Sequence, residues 1–298
     1  MHRFNWLLIF SQFINGLQLG SIYALISLGY SMVYGIIMLL NFAHGDIIMV
    51  GGYIALISIL NRFGPFISVF FAISGCAVIS VLIERLAYRP LRKASKTSLL
   101  ITAIGVSIFL QNLAQLIFSA NGRPFPASSI LKNNKMRFGK INVNSVTIIT
   151  ILISIISMLL LVILVHKTKL GKAMRAVSED LESGQLMGIN IDKVISFTFI
   201  LGSSLAGIAS IMFCCQYPLV NPTMGYMIGM KAFIAAVLGG IGSIPGAVVG
   251  GFTIGFVEIF VSAIGFSAWI DVAVFAVLII VLLIRPFGIL GRRLTEKV

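Results

Sequence analysis

Residues 141–166 read INVNSVTIITILISIISMLLLVILVH, a run with no acidic side chain and no lysine or arginine. A helix crosses a hydrocarbon core of about 30 Å with about 20 predominantly apolar residues, and this stretch supplies them without a glycine or proline. It is one membrane span, and the rest of the chain is read outward from it. Uncharged stretches also run over 4–45, 63–83, 97–122, 194–230 and 232–257. Of the 298 residues, 58% are hydrophobic and 10% are charged, against roughly 25% charged in soluble domains. The 22 basic and 9 acidic residues cannot provide the charged shell of a soluble core this size. The expected fold is an all-α polytopic membrane protein with eight to ten transmembrane helices, some of them broken or re-entrant, forming a single domain over 1–298.

The net charge of +13 does not indicate nucleic acid, because the basic residues sit between apolar runs instead of on one polar face. They define topology. Segment 84–96 carries Arg85, Arg89, Arg92, Lys93 and Lys96, segment 166–193 carries Lys167, Lys169, Lys172, Arg175 and Lys193, and segment 285–298 carries Arg285, Arg292, Arg293 and Lys297. By the positive-inside rule all three are cytoplasmic. Parity then places 120–144 outside, although Arg123, Lys132, Lys135, Arg137 and Lys140 stand there without an acid. The run 4–45 fits either one long helix or two shorter ones. Spans at 46–61 and 65–83 follow, joined by the turn Asn61 to Pro65. Pro218, Asn221 and Pro222 break the chain after a span at 194–217, and GGIGSIPG at 239–246 makes a cytoplasmic hairpin tip. Cys76, Cys214 and Cys215 lie inside apolar stretches and form no disulfide or metal pattern.

Ionisable groups within apolar runs cost at least about 2.5 kcal/mol and are functional candidates by default. Asp46, in NFAHGD, reads as a helix N-cap and as a pathway candidate; one histidine and one aspartate are too few for a metal site. Asp271 reads as a headgroup-level charge with no site. Lys231 and Glu258 lie 14 residues before and 13 after Pro245, so at about 1.5 Å per residue both stand about 20 Å from the tip. They are expected to pair across the hairpin. Glycines four apart, at 16 and 20, at 242, 246 and 250, and at 251 and 255, allow close helix contact, either within this chain or against another subunit. Residues 172–188 alternate charged with small or apolar side chains, as a short surface helix stopped at Gly188 would. The Walker A pattern that cradles phosphate is absent, since Gly171-Lys172 is followed by Ala173. No cofactor or metal is expected.

The stretches LGKAMRAVSEDLESGQLMGINIDKVISFTFILGSSLAGIAS (170–210), GSIYALISLGYSMVYGIIMLLNFAHGDIIMVGGY (20–53), IERLAYRPLR (83–92), LLITAIGVSIFLQN (99–112), NPTMGYMIGMKAFIAAVLGGIGSIPGAVVGG (221–251) and RPFGILG (285–291) resemble, together, permease subunits of ATP-binding-cassette importers for branched-chain amino acids, of the LivH type. The resemblance covers nearly the whole chain. It implies a non-catalytic transport subunit in the bacterial cytoplasmic membrane, taking leucine, isoleucine and valine. Its implied partners are a second, related permease, two ATPase subunits, an extracytoplasmic substrate-binding protein and membrane lipid. It also implies that the cytoplasmic segment around 167–193 docks on an ATPase, with Arg175, Asp180, Gly184 and Gly188 at the contact. The family commonly has alanine where this chain has Gly184, which lowers helix propensity by about 1 kcal/mol. Related permeases import urea and other small amides or amino acids. An ion-coupled carrier using Lys231, Glu258 and Asp46 is the competing class, but such carriers show two related halves, and none is visible here.

Overall fold

The computed structural model describes residues 6–38, 40–92, 94–131, 135–138 and 141–291. Eight helices among them are long and apolar enough to cross a membrane, and a ninth apolar helix is shorter. The run 4–45 holds one helix, α1 (Trp6–Ile37), and the start of α2 (Ala43–Leu60). Met38, at φ 54°, turns the backbone between them. Glycines do not break α1, because its middle is enclosed on all sides: Ile22, Ala24, Leu25, Ile26 and Leu28 have no exposed surface. In lipid, glycine costs little where neighbouring helices hold the backbone, and it lets them approach.

α3 (Pro65–Ile83) follows the turn after α2 and starts with proline in its first turn, where a missing N–H costs nothing. It widens into a π-turn, Glu84–Tyr88, and tightens into a 3-10 turn, Arg89–Leu91. Ser95 then caps α4 (Lys96–Phe118), its hydroxyl accepting from Ser98 N at 3.2 Å. Two short antiparallel ribbons close the far end: β1 (Arg123–Pro124) pairs with β4 (Leu219–Val220), and β2 (Lys135–Phe138) with β3 (Ile141–Asn144). Lys132 and Lys140 of that loop lie outside the described residues.

α5 (Ser145–Lys167) is the span from which the sequence reading began; two polar helices follow, α6 (Lys169–Glu179) and α7 (Leu181–Leu186). α8 (Ile191–Gln216) is capped by Asn190, which accepts from Lys193 N at 3.0 Å. After the proline break comes α9 (Met224–Gly239), whose 16 residues reach about 24 Å, short of a full core. α10 (Ile244–Ala263) and α11 (Ile270–Ile284) complete the bundle.

α1 is the axis, packed by α10, α8, α9 and α5. The four-spaced glycines are used inside this chain. A Cβ at Gly20 would stand 2.8 Å from Phe252 Cα, and one at Gly251 would run into Ala24 N and Cα, so α1 and α10 touch backbone to backbone. α2 and α9 meet likewise at Gly45, Gly225 and Gly229. At the 239–246 tip, Gly240 and Gly242 adopt φ of 107° and 87°, open to glycine alone at little cost, and Ser243 caps α10 through Gly246 N at 3.2 Å. Segment 285–291 folds back over this tip. Ile289 N and Leu290 N donate to the carbonyls of Leu238 and Gly239, both at 2.9 Å.

Candidate functional sites

Lys231 of α9 is the centre of a charge cluster between apolar helices. Its Nζ lies 3.1 Å from Glu258 Oε1 on α10 and 3.1 Å from Asp271 Oδ1 on α11. Tyr23 of α1 donates its hydroxyl to Glu258 Oε2 at 2.8 Å. Four helices therefore converge on two carboxylates and one ammonium, a cluster of net charge −1. Pairing lowers the desolvation cost each charge would bear alone in lipid. Equal spacing about Pro245 brings Lys231 and Glu258 to one depth. Asp271, read from the sequence as a charge at headgroup level, lies in the first turn of α11, is 49% exposed and also reaches Lys231. The signal available for it was the short reversal between α10 and α11, which returns the first turn of α11 close to the level of Glu258.

Asp46 does not cap α2. That helix begins three residues earlier and has no side-chain cap, while the Asp46 side chain is wholly buried and turned to α4. Ser107 Oγ donates to its Oδ2 and Gln111 Nε2 to its Oδ1 at 3.0 Å, with Gln111 also reaching Ser107 Oγ at 3.2 Å. Ser107 and Gln111 are one turn apart, so they share a face of α4. The close approach of α2 to α9 is at the preceding residue, Gly45. Beside this cluster, Tyr88 donates to Asn41 Oδ1 at 2.6 Å, and the His44 ring meets Tyr30 edge-on with centroids 4.8 Å apart.

The polar segment is two helices, where the charge alternation suggested one. Asp180, with φ −159° and ψ 121°, leaves the α6 spiral and caps α7, accepting from Glu182 N at 3.0 Å and from Ser183 Oγ. A side chain that satisfies an orphan helix donor favours a new N-terminus over continuation. Gly171, Met174 and Val177 bury one face of α6 against α1, α5 and α8, and Arg175 is exposed. Gly184 is buried, with room for a Cβ only at 3.4 Å from Val177 Cγ2. Gly188, at φ 78°, ends α7, where Ile189 N bonds back to Gly184 O at 3.1 Å. Just before it, Leu186 and Met187 are 90% and 82% exposed. Sequence reasoning passed over this apolar pair; its signal was two large apolar residues directly ahead of a helix-stopping glycine.

Among the described residues no cluster of three histidine, cysteine or acidic side chains has metal-binding geometry.

A bundle of apolar helices around a buried axis, with a charge cluster between four of them and a polar helix pair outside the candidate spans, is the architecture of a multi-pass membrane permease. The chain belongs to the family of branched-chain amino acid transport system permease components, which it matches over residues 12–283. It is 44% identical to the high-affinity branched-chain amino acid transport system permease protein BraD of Pseudomonas aeruginosa, with 96% of this chain and 97% of that one covered. It is 43% identical to the corresponding LivH protein of Escherichia coli strain K12, over 98% and 99% of the two chains. The probable branched-chain amino acid transport permease LivH of Methanocaldococcus jannaschii is 30% identical over 90% and 88%.

Proposed function

We propose that residues 1–298 form one permease domain of an ATP-driven importer of leucine, isoleucine and valine in the bacterial cytoplasmic membrane. A second, related permease completes the translocation pathway, and two ATP-binding-cassette subunits supply energy from the cytoplasm. A binding protein delivers substrate outside. The observation that carries this reading is the polar pair α6 and α7, which cannot span and which ends in the exposed Leu186 and Met187 beside Gly188. An exposed apolar pair on a segment that also exposes Lys172, Arg175 and Glu182 suits a groove on a soluble partner. Near-full-length identity to permeases whose names state branched-chain amino acid transport supports the substrate class. Lys231, Glu258 and Asp46 are the candidate charged groups of the pathway.

Gly188→Trp forces a bulky side chain into a left-handed backbone, and Asp180→Lys removes the α7 cap and reverses a charge. Each is expected to lower leucine uptake about tenfold, within the range of a lost intersite coupling, with membrane insertion preserved. Asp180→Asn, which keeps a capping oxygen, should retain uptake. Wild-type uptake in both disruptive variants would defeat the docking role.

The two long helices between residues 92 and 168, α4 and α5, support placing the intervening loop outside. A cysteine at Asn121, an exposed position, should react with impermeant maleimide from the external face of intact cells. Labelling solely from the cytoplasmic face would invert the topology.

A further inference from the structure

We infer that Glu84, Arg89, Arg92, Asp192 and Ser196 form a joint through which displacement of α6 and α7 reaches α3 and α4; this rests on the proposed docking of α6 and α7 on an ATPase. Glu84, in the π-turn ending α3, has its side chain 1% exposed. Its carboxylate is held on both oxygens, by Arg92 on one and by Ser196 Oγ, at 2.7 Å, on the other. The same Arg92 guanidinium reaches Asp192 Oδ1, and Arg89 takes Asp192 Oδ2. Two guanidiniums and two carboxylates thus alternate with no net charge. Asp192 and Ser196 lie one turn apart on α8 and so face the same neighbour.

The joint sits where the chain leaves the polar pair. Asp192 is in the first turn of α8, after the linker 187–190 that leaves α7, so along the backbone a push on α6 and α7 reaches this turn first. On the other side, Arg92 lies three residues before Ser95, the cap of α4. A single guanidinium bridging Glu84 and Asp192 ties the entry of α8 to the end of α3 and the start of α4. Further into the bundle the α3–α8 contact continues through Ser80 Oγ, which donates to Phe199 O at 3.3 Å, and through the Tyr88 and Phe199 rings, 5.8 Å apart. Local π- and 3-10 turns such as 84–91 occur where helices carry function or strain. A buried ion pair is weak evidence for stability but holds a defined geometry. A fixed geometry is what a joint requires.

Arg89 and Asp192 are 49% and 44% exposed, so substitutions there leave the buried Glu84–Arg92 contact in place and the chain able to fold. The test uses the whole importer, purified with its ATPases and second permease and reconstituted in proteoliposomes with binding protein and labelled leucine. Asp192→Asn and Arg89→Met should leave subunit composition, thermal stability and ATP hydrolysis close to wild type, while leucine moved per ATP falls about tenfold, as for loss of a coupling between sites. Asp192→Glu should restore the ratio. An unchanged ratio in both variants would overturn the joint, as would a parallel loss of hydrolysis and stability that marks a merely structural rivet. Failure of the wild-type permease to retain any ATPase would instead defeat the docking reading on which the joint depends.

Discussion

Valine at position 45 is expected to prevent the folded permease from accumulating. A Cβ there would stand 2.6 Å from Gly225 O and 2.9 Å from Gly229 Cα, and both obstacles are backbone of α9. Side chains rotate away from an intruder; two helix backbones must separate. Reciprocally, a Cβ at Gly225 would lie 2.9 Å from Asp46 Cα, so neither helix has slack. Overpacking costs about 1–3 kcal/mol where side chains yield; here Gly45→Val also pulls Asp46 from Ser107 and Gln111, adding about 1–3 kcal/mol for a buried group left unsatisfied. Together these approach the whole stability of many proteins. Thermal unfolding in detergent, compared with Gly105→Val, measures the effect, since Gly105 has nothing within 4 Å of a built Cβ. Equal melting of the two variants would show that α2 and α9 are not in backbone contact.

Removing the single ammonium of the Lys231 cluster should be the most damaging change there. Lys231→Met leaves the Glu258 and Asp271 carboxylates near one another with no cation between them; an uncompensated charge costs about 3–5 kcal/mol when fully buried, and less here because Asp271 is 49% exposed. Glu258→Gln keeps Lys231 paired with Asp271 and an acceptor for Tyr23, so its cost should be nearer to one lost hydrogen bond, about 1 kcal/mol. The triple variant Lys231→Met, Glu258→Gln, Asp271→Asn should be more stable than Lys231→Met alone. Additive losses across the series would mean that the three groups do not interact.

The spans were legible because lipid imposes length and apolarity on each helix separately. Residues 141–166 announce α5 without reference to the rest of the chain, and Pro218, Pro222 and the 239–246 glycines mark where α8 and α9 end and α10 begins. The pairing of Lys231 with Glu258 was legible too, as a count along one hairpin. Contacts between elements far apart in sequence were not. Asp46 looked like a cap because it stood near a helix start; its partners Ser107 and Gln111 lie on α4, and no local pattern names them. Asp180 was misjudged as mid-helix because charge alternation reports an exposed face and not the backbone torsion that splits α6 from α7. Arg92 carries one more positive charge in a basic loop until the fold brings Glu84 and Asp192 to it.

The return of segment 285–291 over the glycine tip bears on the order in which the protein is made. Backbone hydrogen bonds from Ile289 and Leu290 close the last carbonyls of α9, and those donors follow every candidate span among the described residues. Until those residues emerge the end of α9 must find water or headgroups as partners, so its hairpin is inserted before it is closed. A transcript cut shortly after Ile284 would yield a protein with every span in place and its innermost hairpin unlocked.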